Sequence, residues 1–400
     1  MRLVAAASVL VIAGLATFGT PARSVESHEA LSQRLDVQSW APPYFEGRVA
    51  LFATAQQDPL LAAMRAEGGE PLRVGDYTYR TSPARVTLGR RLFESYDWGT
   101  SGYWRPTTRF IFYALGAESA EDLRARYGLL VDRSGALIGL TGLVAADGRL
   151  DYGWSCALCH SGLDSEGNAV PGSPNHHLDY GRIYHRGMVD HPSRPAVIGP
   201  MVDRDTPLAD LISLGPGRID MNQDRSPNPV KIPSLWGLRT SRSGMFANGS
   251  VDNIWMGIAH NGGPFPPSEL VEAVVAYVLS LDPPPNPRAA GDAATRGRAI
   301  FARADCASCH AGPYYTNGEV IPLERIGTNP ARVKMELPKG YRVPSLRRLD
   351  LQKLFLHDGS ITSLADLFSR DRLRAVPGHE YGLDLSKAER QDLVAFLLAL

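Results

Sequence analysis

The chain has 400 residues and equal numbers of Lys+Arg and Asp+Glu, 42 each, so its formal net charge is zero. That balance excludes the basic footprint of a nucleic-acid binder, while 44% hydrophobic content is ample for more than one packed core. Thirty prolines and 39 glycines promise much loop and modest regular structure.

In chain order, the first segment has the build of a secretory signal peptide. Arg2 is followed by an apolar run from Leu3 to Phe18 and then by small residues ending at Ala22. The run falls short of the roughly 20 residues that span a bilayer, and no later stretch is long and apolar enough. Residues 1–22 are therefore expected to be cleaved near Ala22 and the rest exported to the periplasm; an uncleaved anchor is the rival reading. Residues 23–135 form an N-terminal extension of mixed structure, whose clearest predicted helix is "AESAEDLRARYGLL" at 117–130. A predicted hairpin turning at Asp147-Gly148 follows.

All four cysteines then fall in two copies of one motif, Cys156-Ala-Leu-Cys159-His160 and Cys306-Ala-Ser-Cys309-His310. Cys-x-x-Cys-His is the attachment signature of c-type haem: two thiols reach the vinyl groups as thioethers and the imidazole ligates iron from one face. A zinc site would want further cysteines, and a redox dithiol does not need the trailing histidine. Two covalently bound haems are expected, with His160 and His310 as the proximal ligands.

The flanks of the two sites repeat. "IPSLWGLRTSRSGMFANGS" (232–250) matches "VPSLRRLDLQKLFLHDGS" (343–360), and each is followed by a predicted apolar helix, "SELVEAVVAYVLSL" (268–281) and "KAERQDLVAFLLAL" (387–400). Ser268 and Ser386 are the N-cap candidates. "DPPPNPRAAG" (282–291) reads as a proline-rich linker. A predicted helix runs into the second motif through "DAATRGRAIFAR", where the first motif has its hairpin instead. The fold class is thus mainly α, with two tandem cytochrome c domains, 136–281 and 292–400, behind the extension.

The sixth ligand decides whether a haem only carries electrons or also binds a small oxidant. Aligning the terminal helices sets Leu281 on Leu400, Tyr277 on Phe396 and His260 on His379. His379 is the candidate distal ligand of the second haem, with Tyr381 as runner-up, and His260 inherits that logic for the first. The first haem has rivals in His176, His177, His185, Met188 and His191. An open first site would need an acid–base group, for which Glu166, Asp179, Asp220 and Glu269 are candidates. His357 has no counterpart in the first copy, where Ala247 stands, and is a candidate catalytic or haem-bonding residue. Asp220, Asn222 and Asp224 alternate as in a calcium loop without its glycine and closing glutamate. Trp154, Trp236 and Trp255 all lie in the first copy, where packing is the default role and electron relay the alternative.

Two haem motifs, "GYRVPSLRRLDLQKLFLHDGSITSLADLF" (340–368) and the closing "LDLSKAERQDLVAFLLAL" resemble the di-haem cytochrome c peroxidase superfamily, which includes oxygenases and maturation enzymes. The resemblance is specific over 290–400, looser over 150–281 and absent from the extension. It implies a periplasmic enzyme that reduces hydrogen peroxide at the N-terminal haem, with electrons relayed through the C-terminal haem from a small cytochrome or copper protein. His357 then matches the family's Phe-His-Asp-Gly segment. Two departures stand out. His379 offers itself where the peroxidases usually place Met, and Gln352-Lys353-Leu354 replaces a Thr-x-Pro that helps bind calcium between the domains, so a calcium is only weakly supported. The alternatives are a non-catalytic di-haem electron carrier and an oxygenase- or maturation-type enzyme.

Overall fold

The computed structural model describes residues 59–74, 77–95, 119–144, 150–188, 212–220, 228–241, 268–288, 291–330 and 340–400. The leader (1–22), Asn222, Asp224, His191, Ala247, Trp255 and His260 lie outside them. Helix α1 (Pro59–Glu67) leads into a hairpin, β1 (Glu70–Val74) against β2 (Tyr77–Thr81), and then into α2 (Pro83–Ser95). Pro83 opens α2 at the one position where its missing N–H is harmless, and the Ser82 hydroxyl accepts from Arg85 N at 3.1 Å.

The expected helix at 117–130 is α3 (Ala120–Tyr127). Ser119 caps its N-terminus, and Gly128 ends it in the left-handed conformation. The hairpin before the first motif is also present, as β3 (Leu140–Val144) paired with β4 (Leu150–Trp154). A short helix, α4 (Ala157–His160), carries the first motif, followed by β5 (Ser161–Leu163), β6 (Ala169–Pro171) and α5 (Tyr180–Met188). Strands β7 (Arg218–Ile219) and β8 (Val230–Lys231) pair before α6 (Ser268–Ser280). Ser268 is the first residue of α6, rather than the residue ahead of it.

The second half is more regular. Helix α7 (Asp292–Arg303) runs to the second motif; β9 (Val320–Pro322), α8 (Leu323–Ile326), β10 (Gly340–Arg342) and α9 (Leu364–Leu367) follow, and α10 (Lys387–Ala399) closes the chain. Ser386 and Glu389 form a full capping box on α10.

Two helix crossings organise the molecule, and they are copies of each other. In the second unit α7 crosses α10 at Gly297, where a Cβ would lie 2.0 Å from the Asp392 carbonyl oxygen. Phe301 and Phe396 meet there edge to face, 5.4 Å between centroids. In the first unit α2 crosses α6 at Gly89, where a Cβ would lie 1.9 Å from the Ala273 oxygen, and Phe93 meets Tyr277 at 5.3 Å. Only glycine lets the backbones approach so closely.

Packing crosses the expected boundary at residue 135. The core that holds α6 includes Leu61, Met64, Leu88, Leu92 and Phe93 from the N-terminal stretch. Helix α2 stands to the first motif's unit as α7 stands to the second, with a long stretch of chain between it and Cys156. Helix α6 buries every residue from Leu270 to Leu279 except Glu272, because α2 and β2 pack against it. Helix α10 buries one face only, through Leu393, Phe396 and Leu397.

The proline-rich segment is not a free linker. Arg348 donates to the carbonyls of Pro284 and Pro285 at 3.1 and 3.2 Å while paired with Asp350, and Asn286 donates to Leu398 O at 2.9 Å.

Candidate functional site

Both Cys-x-x-Cys-His motifs open onto one apolar cavity of about 510 Å³. Its first-unit wall comprises Phe93, Trp154, the motif, residues 230–235 and Val274 and Val278 of α6. The second unit contributes its motif, residues 341–346, His357, His379 and Tyr381.

The two motifs present their imidazoles alike. Nδ1 of His160 lies 3.1 Å from Pro233 O, and Nδ1 of His310 lies 3.1 Å from Tyr315 O. A carbonyl can only accept, so Nδ1 carries the proton in both rings and Nε2 keeps its lone pair for a metal. Burial pushes His160 down to about 4 and lowers His310 as well, so both are neutral ligands at neutral pH. The four thiols are free. Burial raises Cys156 and Cys159 to about 12 and Cys306 to about 11. Without a metal beside them these thiols stay protonated at neutral pH, which disfavours disulfide exchange. Among the described residues no cluster of three or more His, Cys, Asp or Glu could hold a metal ion by itself.

His379 faces His310 across the cavity. Two imidazoles on opposite sides of one metal, each bonded at about 2 Å, place their centroids about 6.4 Å apart. The observed separation is 6.5 Å, and Nδ1 of His379 is buried without a hydrogen-bond partner. The residues present therefore fit a haem held between these rings. The loop is fixed by Arg372, which donates to the carbonyls of Leu367, Val376, Gly378 and His379 at 2.7 to 2.9 Å. Burial, then the neighbouring His310 and Arg372, push His379 down to about 4. His379 holds φ +48°, one of five non-glycine residues with positive φ among those described; the others are Asp305, Tyr315, Arg348 and Leu356. Asp305, Tyr315, Leu356 and His379 adjoin or carry the second site, where such strain concentrates. Tyr381 also lines the cavity, 5.7 Å from His379. His357 stacks on Tyr341 at 4.0 Å and lines the cavity too.

The first site is built differently. Among the described residues of its half of the wall, His160 is the one imidazole. His176 is buried away from the cavity; burial, then the field of the nearby Lys231, push it down to about 3. His177 is exposed, and His185 sits on α5, outside the wall. None of the four candidate acids lines the cavity. Asp179 caps α5 through Arg182 N at 3.0 Å, and Glu269 pairs with Arg65 at 2.9 Å. Asp220 accepts from Asn228 N at 2.9 Å, and Glu166 is exposed in a turn. Trp236 is fully buried with Nε1 donating to Pro171 O at 3.2 Å, whereas Trp154 lines the cavity.

Lys231 and Arg342 were not singled out by the sequence, yet both line the cavity, and desolvation lowers them to about 8 and about 10. Their signal was position: one lies two residues before Pro233, the other two before Pro344. The Leu354 carbonyl, last of the triplet that replaces Thr-x-Pro, accepts from Lys231 Nζ at 3.0 Å.

No family model matches the chain. Among curated proteins it is similar to the methylamine utilization protein MauG of Methylophilus methylotrophus, 28% identical over 128 residues, covering 28% of this chain and 38% of that protein. A second MauG, from Methylorubrum extorquens, is 30% identical over 122 residues, covering 27% and 35%. The chain thus spans little more than a third of the curated relatives it matches. A solved MauG-like protein associated with microbial copper homeostasis is 14% identical, covering 83% of this chain and 93% of that one at a TM-score of 0.38, too low to carry an argument. The MauG matches agree with the resemblance to di-haem cytochrome c peroxidases carried by the motifs.

Proposed function

We propose that the chain is a periplasmic di-haem c-type oxidoreductase of the peroxidase type. One observation carries the reading: both Cys-x-x-Cys-His motifs face a single apolar cavity, with a second imidazole set opposite the second motif. Cys156, Cys159 and His160 would hold one haem, and Cys306, Cys309, His310 and His379 the other. Bound haem supplies one-electron chemistry and, where one face stays open, reduction of a small oxidant such as hydrogen peroxide.

The chain's own residues then divide the work. Pro233 O and Tyr315 O keep the proton on Nδ1 of the two proximal rings, which fixes their orientation. The Arg372 clamp holds the His379 loop, so the second site keeps two ligands and serves electron transfer. The aliphatic wall at Ile232, Leu235, Val274 and Val278 excludes water from the first site. His357 is placed to hydrogen-bond at the second haem, and His260 is the remaining candidate partner at the first. Electrons would come from a small cytochrome or cupredoxin.

Optical and EPR spectra of the fully oxidised and half-reduced protein test this, with and without hydrogen peroxide and cyanide. A high-spin signal in one of these states, perturbed by either ligand, is expected. Two low-spin haems unresponsive in both states would leave a pure electron carrier. Peroxide consumption far slower than oxidation of a protein partner would favour the maturation-type reading.

A further inference from the structure

The cavity wall is apolar, so the charged groups in it stand out. Lys231 ends β8 at the seam between the units. Its backbone N–H donates to His357 O at 2.9 Å and its Nζ to Leu354 O at 3.0 Å, both in the second unit. The residue is half-buried and lines the cavity. Among the described residues its ammonium is hydrogen-bonded to that one carbonyl and to no carboxylate. Asp358 is the acidic group whose field favours its charge, and the Asp358 carboxylate is already engaged by Ser360 N at 2.9 Å. The cation Arg218 flanks it on β7, bonded to the Asp358 and Gly359 carbonyls, and the neutral His176 lies beside it. A charge withdrawn from water is costly unless it meets an opposing one. Its retention beside an electron-accepting centre has a direct consequence.

We propose that Lys231 is a fixed positive charge that raises the midpoint potential of the haem beside it. The inference rests on the two-haem reading above. One electron added to a ferric centre lowers that centre's charge by one, and a nearby cation in a medium of low polarity stabilises the product over the reactant. The Leu354 carbonyl is the anchor that stops the flexible side chain from swinging out to water. Because the anchor belongs to the other unit, the charge is in place only when the two units are docked.

The test uses the full haem-loaded chain. Haem content is measured first; fewer than two covalent haems in the unmodified protein would sink the underlying reading rather than this one. Spectroelectrochemical titration then compares Lys231→Arg, Lys231→Gln and Lys231→Met. Arg keeps the charge, Gln keeps a donor without it, and Met removes both. In Gln and Met at least one haem is expected to become harder to reduce, with its reduced-to-oxidised ratio at fixed ambient potential falling about tenfold; Arg should hold it. If Met fails to load haem, the Gln–Arg pair still separates charge from hydrogen bonding. Unchanged potentials in Lys231→Gln, with two haems bound and only thermal stability reduced, would make Lys231 a structural tie and overturn the proposal.

Discussion

The two units that carry the Cys-x-x-Cys-His motifs share a frame and differ in what they put around it. Gly89 and Gly297, Phe93 and Phe301, Tyr277 and Phe396 occupy matching places in the two crossings, and Pro233 and Tyr315 play matching parts toward the proximal rings. The second unit stops there and sets His379 on a clamped loop opposite its motif. The first adds α1, a β-hairpin and a long insertion before its motif, and α6 is almost wholly buried. The helix packing matches in the two units, while their contributions to the shared cavity differ.

Removing the attachment chemistry is the harshest way to break the comparison. Cys159→Ala and Cys309→Ala should each cost one covalent haem, read by intact mass, and loss at 309 alone should remove the low-spin bis-imidazole signal. Loss of both haems from either variant would show that the sites are not independent. Next in size, His379→Gly should convert the second haem from low to high spin and leave the first untouched. Tyr381→Phe should change neither; a spin change there would move the ligand to the phenol.

The crossings themselves should respond alike. Gly89→Ala and Gly297→Ala each drive a methyl into a backbone carbonyl, at a cost of about 3 kcal/mol, measured by chemical denaturation. A markedly cheaper substitution at Gly89 would dissolve the equivalence. The smallest effect is one-sided. His176 belongs to the first unit and ionises near 3 in the fold against its ordinary 6.5. Above pH 6.5 both folded and unfolded forms are neutral and nothing is gained. As pH falls toward 3 the unfolded chain binds a proton that the fold refuses, so stability declines by about 1.4 kcal/mol per pH unit at most. His176→Gln should flatten that decline between pH 6.5 and 5, and an unchanged slope would place the loss elsewhere.

What the sequence made legible was local. Motif spacing singled out His160 and His310, which the fold sets on one cavity, Asp147-Gly148 pointed to the hairpin, and apolar periodicity with Ser386 to the closing helix. The gapless match of the terminal helices led to His379 because little separates that loop from its helix. What stayed hidden depended on distance along the chain. "LGRRLF" (88–93) repeats "RGRAIF" (296–301), but the insertion before Cys156 concealed it. The apolar run from Ala273 to Leu279 in α6 was the other clue, since two turns of helix apolar all round must be covered by something. Arg372, Arg348 and Lys231 bond to backbone carbonyls, and no residue pattern announces which carbonyls the fold will bring near.

That separation also sets an order of events. The ion pair from Arg85 to Glu272 ties α2 to α6 across 187 positions, whereas Arg296 and Asp392 join α7 to α10 across 96. At equilibrium the longer closure costs only about 0.6 kcal/mol more. In time the difference is larger, because distant partners meet late. The N-terminal unit must keep α2 waiting while Cys156 and Cys159 stay uncovered, because the helix that α2 packs on lies far down the chain. The C-terminal unit joins its two helices across about half that distance. The first unit is therefore the slower to close around its motif.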